Sequence, residues 1–185
     1  MLVKPQTQKI KSKTSTAWFI DAAHSTVEFT VRYLILFTVQ GRFEDISGTL
    51  QLDDDLARAS VEVAIAAKSI STTNKHRDAH LRSPDFLAVE RYPEILFESS
   101  SVQRGCDRDT LEVGGLLTIR GTSRQISLNV NELDQSRSPN GEEVIYYNCT
   151  TDLDRFNFGV NYLPGLISRK VSVVLNIQAT RAAID

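Results

Sequence analysis

Apolar and polar residues alternate in twos along most of this chain, and that period constrains its fold more than any other feature. It places one row of side chains on each face of an extended strand. Val27, Phe29 and Val31 alternate with Glu28, Thr30 and Arg32; Val61, Val63 and Ile65 alternate with Glu62, Ala64 and Ala66. The same pattern covers residues 17–21, 94–103, 111–119, 125–133, 142–153 and 170–180. Turn pairs at Arg104-Gly105 and Arg120-Gly121, and the stretch from Ser138 to Gly141, separate most of these segments by hairpin lengths.

A long strand is predicted over residues 39–52. Phe43 and the set Ile46, Leu50 and Leu52 fall on opposite parity within it, which a β-bulge at Glu44 or Asp45 reconciles. About eight or nine antiparallel strands result, enough for a sheet to close on itself and leave no edge. The expected fold is all-β: an extended eight-stranded antiparallel barrel with one short helix between strands. Its inward rows hold Val27, Phe29, Val31, Phe43 and Leu50, then Val63, Ile65, Ile95, Phe97 and Leu117, and finally Leu128, Ile145, Tyr147 and Val173. Gly115 and the small residues Ala64, Ala66 and Ser99 are spread along strands, as in a barrel whose interior is underfilled.

The period breaks once, in TNKHRDAHLRSPDFLAVERYPEILF, residues 73–97. Thr73 or Asn74 is a helix cap, about two turns follow, and Pro84 stops them because the residue before a proline is pushed out of the helical region. So short a helix must lie on the barrel. Ala79 and Leu81 are its expected contacts, with Phe86 and Leu87 as an apolar plug.

At 185 residues the chain fits a barrel domain over residues 17–182 behind a basic arm, residues 1–16, with lysines at 4, 9, 11 and 13. A net charge of −2 gives no reason to expect a nucleic-acid partner. The arm lacks the apolar run of an export signal and no segment reads as a bilayer span, so a cytoplasmic chain without stable membrane insertion is expected. Cys106 and Cys149 read as free thiols. His76 and His80 share a helix face, but no HExxH glutamate accompanies them, so no metal or cofactor is expected. Asp21 with His24, and Arg77 with Asp78, are acid–base pairs only if they converge beside a pocket. No catalytic residue is assigned, and a filled barrel and a hollow one look alike at this stage.

Several motifs resemble the YceI-like family of lipocalin-shaped polyisoprenoid-binding proteins. They are Trp18-Phe-Ile-Asp-Ala-Ala-His24-Ser-Thr-Val-Glu28-Phe; Val39-Gln-Gly41-Arg42-Phe43; Arg77-Asp78-Ala-His80-Leu81-Arg82-Ser83-Pro-Asp85-Phe86-Leu with Tyr92-Pro93-Glu-Ile-Leu-Phe97; Leu117-Thr118-Ile119-Arg120-Gly121; and Arg155-Phe-Asn-Phe158-Gly159. The resemblance implies an interior that takes a long apolar amphiphile, such as a polyisoprenoid, an isoprenoid quinone precursor or a fatty-acid-like lipid. It also implies a homodimer. Arg77, His80 and Arg82 are the head-group candidates, since a cationic site suits phosphate or a ring carbonyl. Tyr33 and Ile35 stand where the family commonly has histidine and glycine, so a narrowed or re-routed pocket is expected. Non-catalytic binding, transport or sequestration is the expected function. The alternatives are a lipid-modifying enzyme using His80 and Asp78, and a filled structural or stress-response barrel acting through its surface.

Overall fold

The computed structural model describes residues 15–107, 110–138 and 141–181; most of the basic arm lies outside them. The described strands are β1 (Thr16–Ile20), β2 (Thr26–Tyr33), β3 (Phe37–Phe43), β4 (Ile46–Leu52), β5 (Ser60–Ala66) and β6 (Ile70–Ser71), followed by β7 (Glu94–Arg104), β8 (Thr110–Ile119), β9 (Thr122–Arg137), β10 (Glu143–Asp154) and β11 (Ile167–Arg181). The one α-helix among the described residues, α1 (Lys75–Arg82), sits between β6 and β7. Antiparallel pairing runs β1-β4-β5-β7-β8-β9-β10-β11 and returns from β11 to β1, closing eight strands into a barrel.

The strand expected over residues 39–52 is two strands. β3 pairs with β2, whereas β4 pairs with β1. Along β11, Ile167 to Asn176 pair with β2, and Ala179 to Arg181 pair with β1. Thus β1 and β2 share one position around the barrel, and β4 and β3 share the next. No bulge absorbs the parity change at Glu44 and Asp45: both backbone N–H groups donate to Ser69 Oγ, at 3.1 and 3.2 Å, and the chain bends there between strands. A hydroxyl from a distant turn therefore sets the break.

Helix α1 has the expected bounds for the expected reasons. Asn74 Oδ1 accepts from the Arg77 N–H at 3.0 Å, and Ser83, ahead of Pro84, ends the helix in an extended conformation. Of its two expected contacts, Leu81 is half-buried against the barrel interior, whereas Ala79 is exposed. Asp78 is buried instead, and its carboxylate accepts from the Thr72 N–H and hydroxyl, tying the helix to the end of β6. Beyond the helix Phe86 is buried as a plug. The β8–β9 hairpin turns through Arg120 and Gly121, both at positive φ (51° and 68°), as a two-residue turn with matching twist requires. A Cβ on Gly121 would also lie 2.6 Å from the Tyr92 ring.

The core cluster runs from Trp18, Ile46 and Ala179 to Phe97, Leu117 and Phe158. Gly115 does not mark an empty space, because the Phe97 ring lies over it, where a Cβ would come within 2.5 Å. The glycine makes room for an aromatic ring, and the voids lie elsewhere.

Candidate functional site

Two apolar voids lie along the barrel interior, each with about 160 Å³ open to the centres of water-sized spheres. The first lies toward the end away from α1; Val27, Leu50, Val63, Ile65, Phe97, Leu117, Leu128 and Tyr147 are in its wall. Phe29, Val31, Leu81, Phe86 and Leu87 line the second, at the helix end. Phe43, Ile95, Ile119, Leu153 and Val173 belong to both walls, so the voids abut at a waist. Every inward residue expected from the alternation lies on one wall or the other except Ile145, which is fully packed in the core. Ile145 keeps the inward parity of Tyr147 and Cys149 and packs with them in the core, while the neighbouring Val144 is buried on the other face.

The chemistry of the two voids differs. Among the described residues the first has no charged lining group, and its polar ones are Ser60, Tyr147, Cys149 and Thr151. Burial pushes the Cys149 thiol up to about 12 and raises the Tyr147 phenol as well, so both remain neutral. The second void has one charged lining residue, Arg155.

Arg155 opens a 3-10 turn, Arg155–Phe158, that Asp154 caps by accepting from the Phe156 N–H at 3.0 Å and that Gly159 ends at φ 74°. The buried guanidinium donates to three backbone carbonyls: Ser168 at 2.9 Å, Val160 at 2.6 Å and Ile167 at 3.0 Å. Burial lowers its pKa and nearby Asp154 opposes that shift; a guanidinium keeps its charge regardless. Three of its five N–H donors are thereby accounted for.

The expected head-group cations lie differently. Arg77 donates to Thr72 Oγ1 and the Thr72 carbonyl, at 2.7 and 2.9 Å, and Arg82 donates to the carbonyls of Lys68 and Ile70, both at 2.7 Å. His80 Nε2 lies 3.0 Å from Asp85 Oδ2, with its ring edge-on to Phe86 and Tyr162. All three hold the helix and its following loop to the barrel, and none lines either void. Tyr33 and Ile35 do not narrow the pocket either, since neither is in its wall.

No acid–base pair converges on the cavity. Asp78 bonds Thr72 while His80 pairs with Asp85. Asp21 and His24 do pair, at 2.8 Å, and that hydrogen bond lowers the Asp21 pKa, but neither residue borders a void. Among the described residues no three His, Cys, Asp or Glu side chains form a cation-holding group, both cysteines are free, and no helix is long and apolar enough to cross a membrane. The sequence reading missed Arg155 as a cavity residue. Its signal was an arginine placed directly after an alternating strand and before Phe-Asn-Phe-Gly.

These features define a class: an eight-stranded antiparallel barrel around an apolar interior, plugged at one end by a short helix and its loop. The YceI-like domain matches residues 18–179, and the chain belongs to that family. A UPF0312 protein of Pseudomonas paraeruginosa is 30% identical over 162 residues, spanning 87% of this chain and 84% of its own. Protein YceI of Escherichia coli is 28% identical over the same spans. Among solved structures, Burkholderia cenocepacia BcnA superposes with a TM-score of 0.78 at 19% identity, covering 87% of this chain and 99% of its own. A polyisoprenoid-binding domain of Saccharophagus degradans superposes at 0.69 with 17% identity, covering 90% and 99%.

Proposed function

We propose that the protein holds one long apolar amphiphile inside the barrel and performs no chemistry on it. The observation that carries this reading is the lining: two abutting voids whose walls contain, among the described residues, a single charged side chain, Arg155, at the helix end. Each methylene moved from water into such a wall contributes roughly 0.8 kcal/mol, so a prenyl or acyl chain supplies affinity without polar contacts. A lone cation at one end suits a ligand with one polar terminus, and we assign the head group to the Arg155 end in place of Arg77, His80 and Arg82. A polyisoprenoid, a quinone precursor and a fatty-acid-like lipid all meet this description. The polyisoprenoid-binding domain of Saccharophagus degradans, with the same fold, supports the first of them.

The test is native mass spectrometry of the purified protein, followed by lipid extraction. A mass above that of the polypeptide, assigned to a long-chain lipid, is the expected result. Repeated recovery of the bare polypeptide, together with failure to take up added prenyl or acyl lipids, would refute it.

A further inference from the structure

We propose that the β2–β3 hairpin tip is a membrane-docking element that inserts into the interfacial layer of a lipid bilayer. Leu34, Ile35, Leu36 and Phe37 are 41, 84, 85 and 60% exposed, and Leu166 beside them is 42% exposed. These are five of the nine large apolar side chains exposed among the described residues, gathered at one end of the barrel. Singly scattered apolar residues need no explanation, but a cluster does. The Leu34 N–H donates to the Leu166 carbonyl at 2.8 Å, which joins the two loops into one surface.

The turn itself does not call for these residues. Leu34 and Ile35 have φ of 52° and 64°, a region that suits glycine or asparagine and strains a β-branched side chain. Large aliphatic groups stand there against the local backbone preference while contributing little to the core.

The order of chemistry along the hairpin matches the depth profile of a bilayer surface. Ile35 and Leu36 form the aliphatic tip. Tyr33 and Phe37, paired across the first rung, follow as an aromatic collar, the residue type that settles at the head-group boundary. Arg32, paired with Thr38 on the next rung, is exposed and has no carboxylate within ion-pairing distance among the described residues. At a rise of about 3.3 Å per residue Arg32 stands roughly 7–10 Å behind the tip, the level of lipid phosphates for a group immersed by about 5–10 Å. Arg169 and Lys170 lie nearby on β11, already paired with Asp154 and Asp152. A second copy of this chain is the weaker occupant, because stable protein interfaces bury about 800 Å² per partner, more than a three-residue turn offers. The docking proposal stands whatever the barrel interior holds. It does place the helix-end void, walled by Val31 and Ile167, next to the bilayer.

The test is flotation of the purified protein with vesicles of phosphatidylcholine and phosphatidylglycerol, alongside thermal unfolding and sedimentation equilibrium. The wild type is expected to float. Ile35→Gly relieves the strained φ, so it should melt no lower than the wild type yet bind less; with Leu36→Ser added, the bound fraction should drop about tenfold. Arg32→Gln should reduce binding about fivefold and flatten its salt dependence. The proposal fails if the wild type does not float, or if the folded double variant floats as well as the wild type. It also fails if the tip substitutions abolish a dimer while vesicle binding is absent throughout, which would assign the tip to a second copy.

Discussion

The two ends of the barrel are built on different principles. At the helix end, side chains are held by directional bonds: Arg155 to three carbonyls, Arg82 to two, Asp78 and Arg77 to Thr72, and His80 to Asp85. Toward the other end, the wall is aliphatic and aromatic, with no charged group among the described residues. The first half has its geometry specified by hydrogen bonds; the second is specified by shape alone. Substitutions of the hydrogen-bonded residues at the helix end should therefore register as stability as well as occupancy, and those in the apolar half as occupancy alone.

The sharpest way to break this contrast is Arg155→Met. The substitution leaves the buried carbonyl of Val160 and the part-buried ones of Ile167 and Ser168 without their donor, and each orphan costs up to about 1–3 kcal/mol, less what the apolar side chain regains by burial. A net loss of about 3–5 kcal/mol in urea unfolding is expected. A loss below about 1 kcal/mol would mean that the helix end is not held as described.

A smaller effect is expected from Leu128→Trp in the apolar half. In a filled core such overpacking costs about 1–3 kcal/mol. Here the added ring has a void to enter, so the unfolding midpoint should move little while co-purified or added lipid falls well below one per chain. Destabilisation without loss of binding would reverse the assignment of the two halves.

The smallest effect is alkaline. The Cys149 thiol is pushed up to about 12 from an ordinary value of 9.0. The unfolded chain loses this proton first, so stability is full below about pH 9 and declines as pH rises toward about 12. Tyr147 shifts in the same direction. Cys149→Ala should flatten the decline of the urea midpoint as pH rises from about 9 toward about 12, whereas Cys106→Ala, at an exposed site, should leave it unchanged. At neutral pH a disulfide reagent should modify Cys106 alone until the protein unfolds.

Much of the architecture was legible because it rests on local chemistry. Alternation reports which face a side chain takes, and Asn74, Pro84 and the Arg120-Gly121 pair mark boundaries by their own backbone preferences. What was not legible shares a cause: the deciding partner lies outside the local pattern, from 5 to 25 residues away along the chain. The break at Glu44 and Asp45 depends on the Ser69 hydroxyl, more than twenty residues away. Arg77 and Arg82, expected at a head group, donate to carbonyls on residues 68–72 that carry no side-chain signature. Arg155 was overlooked for the converse reason: its burial is created by the returning segment 160–168, a loop running into the start of β11, whose composition does not announce an acceptor set.

Because β11 serves β1 and β2 in succession, the seam of the barrel is sewn by the strand made last among the eleven. During synthesis, β7 through β10 can zip together as successive hairpins, while the N-terminal strands wait with bare edges for a partner well over a hundred residues downstream. Pairings of such long sequence separation form slowly, and unpaired edges invite association with other chains. A nascent chain stalled before β11 is thus the species most in need of a chaperone.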